Sequence, residues 1–556
     1  MQIFCFSPFG YEGSLVSVEV DLRRGIPAVD IVGLADGAVK ESRERMRSAI
    51  RNSGFDFPPE RVLISLSPAD LKKEGAGFDL AIALAVLAAK NDCDSSEQSS
   101  ALEQTTESSS ESSVQKQDEA FLPISQNSLL PKDTILVMGE LELNGSLRPI
   151  RAVHAAASTA FQAGISLCIV PRANADEARE VEGMKVFGAE NLFDAFNALF
   201  STKNFTKKQN SSFTKFNLDK NCQEINGILF PKVEPGFEFA EVKGQEKLVR
   251  ALQIAAAGGH NLLSFGPPGC GKTLSLQKYP SLLPLLTAEE SQSVTRIYSI
   301  AGLMKTGNAV ILRAPFRQPH QTATIEGMCG GGFRCSPGEI SLAHNGVLFL
   351  DEAAEFRSSV IQMLRVPLES GSITLSRAGR TTVFPARFQL LMSTNPCPCG
   401  NFGSKDKICL CSGKAIEQYW KKFSAPLLDR VDIRVKVDSK NASLTLQNVK
   451  SKSTSELRIE IANAIKTQRL RQGKKNAYLN PSEISKYCFL DEKVSALLEN
   501  TSEKNGFSPR AVSSCIKTAR TIADMKCSKN IDEESMAEAI EYRKSSGAMD
   551  FNFGDC

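Results

Sequence analysis

Asn261-Leu-Leu-Ser-Phe265-Gly266-Pro267-Pro268-Gly269-Cys270-Gly271-Lys272-Thr273 is the stretch on which the fold turns. A short apolar, strand-like run feeds a turn of the form GxxxxGK[ST], and a helical pattern follows, which is the context this motif needs. Backbone N–H groups of such a turn curl around phosphate oxygens, and the N-terminus of the next helix adds positive potential. Lys272 is then expected to reach the β- and γ-phosphates of ATP, and Thr273 to ligate Mg²⁺. Gly266, Pro267, Pro268, Gly269, Cys270, Gly271, Lys272 and Thr273 are the candidate ATP-binding residues.

Further along, Gly346-Val-Leu-Phe-Leu-Asp351-Glu352 is an apolar run ending in two acids. A strand there presents both carboxylates at its C-terminal end, beside the phosphate turn. Asp351 is expected to hold Mg²⁺ and Glu352 to polarise the attacking water. A third strand, FQLLMST over residues 388–394, ends at Asn395, whose amide can orient that water or touch the γ-phosphate. Together these residues compose nucleotide hydrolysis. Between the last two strands, Ser372-Ile-Thr-Leu-Ser-Arg377-Ala-Gly-Arg380-Thr-Thr-Val-Phe reads as a β-hairpin with two arginines at its tip. Cys397, Cys399, Cys409 and Cys411 follow as C-x-C-x₉-C-x-C, a set that can close a tetrahedral Zn²⁺ site. Reduced, unligated thiols are the other reading.

The 556 residues are 42% hydrophobic and 23% charged, enough apolar content for packed cores and against wholesale disorder. Lys plus Arg number 66 against 63 Asp plus Glu, so any nucleic-acid surface has to be local, a groove or a pore lining. Fifteen cysteines in so long a chain do not make a secreted disulfide framework. The start lacks a basic segment followed by an apolar one, and the most apolar run, residues 80–89, has about half the length that spans a bilayer. A soluble, cytoplasmic, multidomain protein with no membrane partner is expected.

The class is α/β. Residues 1–200 alternate strand-like runs (13–20, 61–67, 134–143, 167–171) with helical ones (36–53, 77–90, 152–163). A Ser-, Glu- and Gln-rich stretch at about 92–120 buries little apolar surface and is expected to be a disordered insertion. Residues 201–236 read as a polar linker carrying Lys203, Lys207, Lys208, Lys215 and Lys220, either tracking a phosphate backbone or forming a solvated hinge. The nucleotide motifs occupy 237–437, and helical runs at 455–471, 491–504, 509–525 and 531–543 make a helical lid over 450–545.

This set resembles an AAA+ ATPase, and more closely the magnesium-chelatase-like family of competence protein ComM (YifB). The carrying stretches are VKGQEKLVRALQIAAAGGHNLLSFGPPGCGKT, PGEISLAHNGVLFLDEAAEF, STNPCPCG and PLLDRVDI. The resemblance implies that Asn395 is the sensor-1 residue. Arg430 in LLDR takes the arginine-finger position and acts on the neighbouring subunit's nucleotide; a surface ion-pair residue is the alternative. Arg510, after GFSP, takes the sensor-2 position and closes the lid over the γ-phosphate. A homo-hexameric ring is implied. The 78 positions from Thr273 to Asp351 leave room for a pore insertion, and Gln321 stands where the family usually shows a second His. Residues 1–200 are similar to the Lon-protease C-terminal domain, an S5-like α/β fold. That likeness places Gly77 and His154 where a protease carries Ser and Lys, so proteolysis is not expected. The implied function is ATP-driven translocation on single-stranded or branched DNA, a branch-migration helicase of recombination and natural transformation, with Arg377 and Arg380 at the hairpin tip as its DNA-contact candidates and a solvated turn as the other reading of them. The alternative is the ATPase subunit of a magnesium-chelatase-type metal insertion complex.

Overall fold

Strand Leu262–Phe265 lies between Gln389–Thr394 on one side and Ile433–Lys436 on the other, all parallel and in full register. Val347–Leu350 and Phe316–Arg317 extend the sheet beyond Gln389–Thr394. In chain order the five strands therefore run 5-1-4-3-2. The runs LLSF, VLFL and QLLMST are buried along their whole length, as strands covered on both faces must be. The sheet opens a crevice at the C-terminal end of its first strand, where the strand order reverses. The computed structural model describes residues 2–69, 71, 73, 75–103, 134–200, 205–206, 222–304, 310–332, 335–377, 380–403, 407–438 and 451–544.

This sheet belongs to a unit made of Phe213–Val294 and Ile311–Cys556. Its helices Thr454–Gln472, Pro481–Tyr487, Glu492–Asn505, Pro509–Met525 and Glu533–Lys544 share one apolar core with Glu246–Gly258 and the sheet. Ser453 with Glu456, and Asn480 with Glu483, form capping boxes that fix where two of the helices start. Part of the stretch expected to be a linker is a hairpin, Cys222–Ile225 with Ile228–Pro231, whose Ile228 and Phe230 are buried in this same core. Asn226 and Gly227 form its turn with φ of 52° and 83°, the left-handed pair that an Asn-Gly hairpin turn requires. The five lysines named for the linker lie outside the described residues. The Arg-bearing hairpin forms as expected, Ser372–Arg377 against Arg380–Pro385, with Arg377 paired across to Arg380.

The other unit comprises Met1–Ser212 and Thr295–Val310. Its mixed seven-stranded sheet runs Val29–Val32, Arg61–Ser67, Ser14–Arg23, Gln2–Ser7, Thr134–Val137, Leu167–Pro171, Lys185–Ala189. Leu80 to Leu87 is buried on every side, so the most apolar run of the chain is a core helix. That helix, Asp79–Glu103, continues into the stretch read as disordered from about 92; the rest of the insertion lies outside the described residues. Residues 92–103 contain neither Gly nor Pro, and adding turns to an existing helix is far easier than nucleating one. The block assigned to the nucleotide domain also loses Thr295–Val310 to this unit. Arg296 donates to the Tyr11 carbonyl at 3.0 Å with its guanidinium 4.8 Å from that ring's centroid, and Ser299 Oγ donates to Glu177. Among the described residues no helix is long and apolar enough to cross a membrane.

Candidate nucleotide site

Gly266 is the first residue past the strand, and a Cβ there would stand 2.0 Å from the Val437 carbonyl oxygen, so only glycine lets the turn start. Gly269 and Gly271 adopt φ of 78° and 85°, the left-handed conformation that winds the backbone into an anion-binding nest. Gln245 Nε2 donates to the Cys270 carbonyl and steadies the loop from outside. Lys272 Nζ donates to the carbonyls of Gly266 (2.6 Å) and Pro267 (2.7 Å) and lies 3.4 Å from Asn395 Oδ1. Burial pulls its pKa down, countered by Cys270, Asp351 and Glu352.

Thr273 Oγ1 donates to Asp351 Oδ1 at 3.0 Å, across two strands of the sheet. A hydroxyl and a carboxylate oxygen so placed are hard donors suited to Mg²⁺. Ser393 Oγ donates to the same carboxylate oxygen and accepts from the Glu352 N–H at 3.2 Å, so one hydroxyl ties both acids to the neighbouring strand. Ser393 and Gln245 were not singled out from the sequence; a buried Ser in the apolar run FQLLMST was the available signal for the first. Glu352 itself takes φ 50°, ψ 50°, a left-handed conformation costly for a residue with a side chain and typical of functional positions.

Gln321 Nε2 donates to Glu352 Oε2 at 2.6 Å. A carboxylate engaged this way has less freedom to accept a proton from water. Gln321→Ala is therefore expected to raise basal ATP hydrolysis about fivefold, equivalent to ~1 kcal/mol of hydrogen-bond free energy. A steady-state rate equal to or below wild type would instead make Gln321 a residue that positions Glu352 for the reaction.

Arg430 and Arg510 meet elsewhere. Arg430 Nη2 pairs with Glu369 Oε2, and Arg510 Nη2 lies 3.2 Å from Glu369 Oε1. Both guanidiniums hold the Glu369 carboxyl below its usual range, Arg430 most strongly. They face a cavity of about 650 Å³ that also admits Arg387, Lys474 and Lys517. Asn261, which precedes the first strand, donates to the Arg430 carbonyl at 2.8 Å, so the cavity opens at the N-terminal ends of the strands. The phosphate loop is at the other end of a four-residue strand, roughly 13 Å away at about 3.3 Å per residue. Arg510 does not close over the phosphate loop of its own chain. Its helix is held beside Arg430 by its capping Ser508, which donates to Asp429 at 3.0 Å; Arg543, on the helix Glu533–Lys544, lies 2.7 Å from the same carboxylate. Glu369, the residue that gathers the two arginines, carried no sequence signal.

The four cysteines come together. All four sulfurs lie within 4.8 Å of one another, with Cys397–Cys399 at 3.3 Å, Cys397–Cys409 at 3.7 Å and Cys399–Cys409 at 3.6 Å. The Asn401 N–H, foremost, and the neighbouring thiols bring the Cys399 thiol down to about 6.

Strand order, the turn after the first strand and the acid pair two strands away are those of an AAA+ ATPase. Family models agree along the chain: magnesium chelatase subunit ChlI matches residues 238–444, its C-terminal model 451–543, and a further ChlI model 18–122. Competence protein ComM of Haemophilus influenzae is 36% identical over 549 residues, 97% of each chain. The uncharacterized protein YifB of Escherichia coli is 36% identical over 536 residues, 96% of this chain and 95% of the relative. The magnesium-chelatase 38 kDa subunit of Rhodobacter capsulatus is 28% identical over 182 residues, 30% of this chain and 52% of that protein. The chain belongs to the ComM/YifB family of magnesium-chelatase-like AAA+ ATPases.

Proposed function

We propose that the protein is an ATP-driven motor that works as a homo-hexameric ring on single-stranded or branched DNA, moving branch points in recombination or natural transformation. The observation that carries the reading is the separation of Arg430 and Arg510 from the phosphate loop of their own chain. The guanidinium cations that join Lys272 at the γ-phosphate then come from a neighbouring subunit, which makes a ring the working unit. Lys272 and the loop amides hold the phosphates, Thr273 and Asp351 hold Mg²⁺, Glu352 polarises the water, and Asn395 orients it. Mg²⁺ bound there would neutralise charge on the β- and γ-oxygens. Zn²⁺ in the four-cysteine knuckle completes the cofactor set, and the cytoplasm is the compartment where such thiols stay reduced.

The DNA part rests on the hairpin and on the family. Two arginines directly opposite each other destabilise a strand pair, and Arg377 is exposed, an arrangement suited to a row of phosphates. A full-length relative is named as a competence protein. Proteolysis does not belong to this reading: Gly77 offers no nucleophile, and His154 is buried, with its backbone N–H donating to Glu177 at 3.0 Å. The domain of residues 1–200 instead serves ring assembly or contact with DNA or a partner.

The test is branch migration of a synthetic four-way junction by purified protein with ATP, run beside Arg377→Ala/Arg380→Ala. Wild type is expected to exchange strands; the double variant keeps its basal ATPase but loses stimulation by DNA. An intact junction, together with an ATPase rate indifferent to DNA, would remove the DNA reading and favour a metal-insertion motor. Stimulation unchanged in the double variant would clear the hairpin of the role.

A further inference from the structure

The four-cysteine knuckle is joined to the nucleotide site at both of its ends. It leaves the sheet directly after Asn395, and Trp420 Nε1 donates to the intervening Pro396 carbonyl at 3.0 Å, while the Trp420 ring stands edge-on to Phe265 with centroids 5.8 Å apart. Phe265 is the last residue before the phosphate loop. Cys397 is fully buried in the core beneath, and its sulfur accepts from the Phe402 N–H at 3.4 Å. Between the first two cysteines and the last two, Gly400 turns back at φ 79° so closely that a Cβ on it would stand 2.7 Å from Pro268 Cδ. The same position lies 3.9 Å from Asn395 Cγ. One turn of the knuckle therefore touches both the phosphate loop and the residue that faces Lys272.

A tetrahedral Zn²⁺ ion with Zn–S bonds of about 2.3 Å separates its sulfurs by about 3.8 Å. The pairs among Cys397, Cys399 and Cys409, at 3.3 to 3.7 Å, need only small adjustments to reach that value. The knuckle chain is short, it turns through Gly400, Asn401 and Gly403, and Ile408 and Leu410 are exposed, so in its far half the apolar packing described is that of Cys409 and Cys411. A metal would supply the missing constraint.

We infer that Zn²⁺ bound by Cys397, Cys399, Cys409 and Cys411 is a positioning device for ATP binding: it clamps Gly400 against Pro268 and so sets the phosphate loop and Asn395 together. The inference rests on reading the knuckle as a Zn²⁺ site and is independent of any DNA role. Gly400 and the four cysteines are positioning residues, since none is placed to touch nucleotide.

The full-length chain, purified without added metal, is assayed for zinc by atomic emission. A fluorescent ATP analogue is titrated in Mg²⁺ before metal removal by a thiol-competent chelator, after it, and after Zn²⁺ is returned. About one Zn²⁺ per chain is expected, with affinity for the analogue falling about tenfold on removal, equivalent to ~1.4 kcal/mol of binding free energy. Zn²⁺, and not additional Mg²⁺, restores it. Cys399→Ser/Cys411→Ser is expected to lose both metal and affinity. Gly400→Ala is the variant that separates the terms: it keeps Zn²⁺ and stays folded at the assay temperature, with a melting temperature lowered by the strained left-handed backbone, and it binds the analogue about tenfold more weakly. A chain that holds no zinc overturns the metal reading itself. Zinc present, with affinity unmoved by its removal and by Gly400→Ala, overturns the coupling while leaving the metal site standing.

Discussion

Arg430→Ala is expected to lower ATP hydrolysis by at least about 10³-fold, the lower end of what a trans-acting arginine contributes to phosphoryl transfer, while ATP binding stays within a few-fold of wild type. The binding residues, Gly266 to Thr273, are at the opposite end of the sheet from Arg430 and do not depend on it. Lys272→Ala is expected to be equally inactive for the converse reason, since its own phosphate site is broken while its Arg430 is intact. Mixing the two inactive proteins supplies the diagnostic result. Rings that place an intact Arg430 next to an intact phosphate loop regain a fraction of wild-type turnover, rising to a maximum at intermediate mixing ratios. No recovery at any ratio, in preparations shown to co-assemble, would mean that Arg430 acts within its own chain or only through its ion pair with Glu369. Glu369→Gln provides the counterpart. Removing the shared carboxylate frees both guanidiniums, so turnover in the assembled ring should rise, whereas a purely structural ion pair would cost thermal stability and leave hydrolysis unaffected.

Glu352→Gln is expected to bind ATP normally and to hydrolyse it about 10²- to 10⁴-fold more slowly, the range set by loss of a general base. The amide keeps the shape of the side chain and can still bond to Gln321, and the left-handed backbone at this position is no harder for Gln than for Glu. What is lost is a carboxylate able to take a proton from the attacking water. Single-turnover hydrolysis, with binding measured separately, distinguishes this from a folding defect. Turnover above about a tenth of wild type would transfer the base role to another group. Junction branch migration by this variant should be absent, which makes it the control for any strand exchange seen with wild type.

Much of the nucleotide site was legible because its information is local. Glycines at left-handed positions, a lysine and threonine at the next helix start, and acids or an amide closing apolar runs are short-range devices. They were readable at Gly266 to Thr273, at Asp351 and Glu352, and at Asn395. The Arg377–Arg380 hairpin and the four cysteines were legible for the same reason. The hairpin at Cys222–Pro231 carried an equally local signal, Asn226-Gly227, obscured by the lysine-rich polar stretch before it.

What the tertiary structure alone decided is which distant groups meet. Nothing near Glu369 marks it as the carboxylate that gathers Arg430 and Arg510, 61 and 141 positions away. Ser393 earned its place by bridging Asp351 and Glu352 from the adjacent strand, and Thr295–Val310 left the nucleotide block because Arg296 and Ser299 find partners at Tyr11 and Glu177. Pro268 and Gly400, 132 positions apart, meet only because their two strands are neighbours in the sheet. Turn chemistry and hydrophobic period are fixed by residues a few positions apart, so the sequence by itself determined an AAA+ phosphate site and its order along the chain. Pairings across the sheet and lid depend on how whole elements pack, and these decided that the two arginines face away from their own nucleotide site and that the cysteine knuckle rests on the phosphate loop.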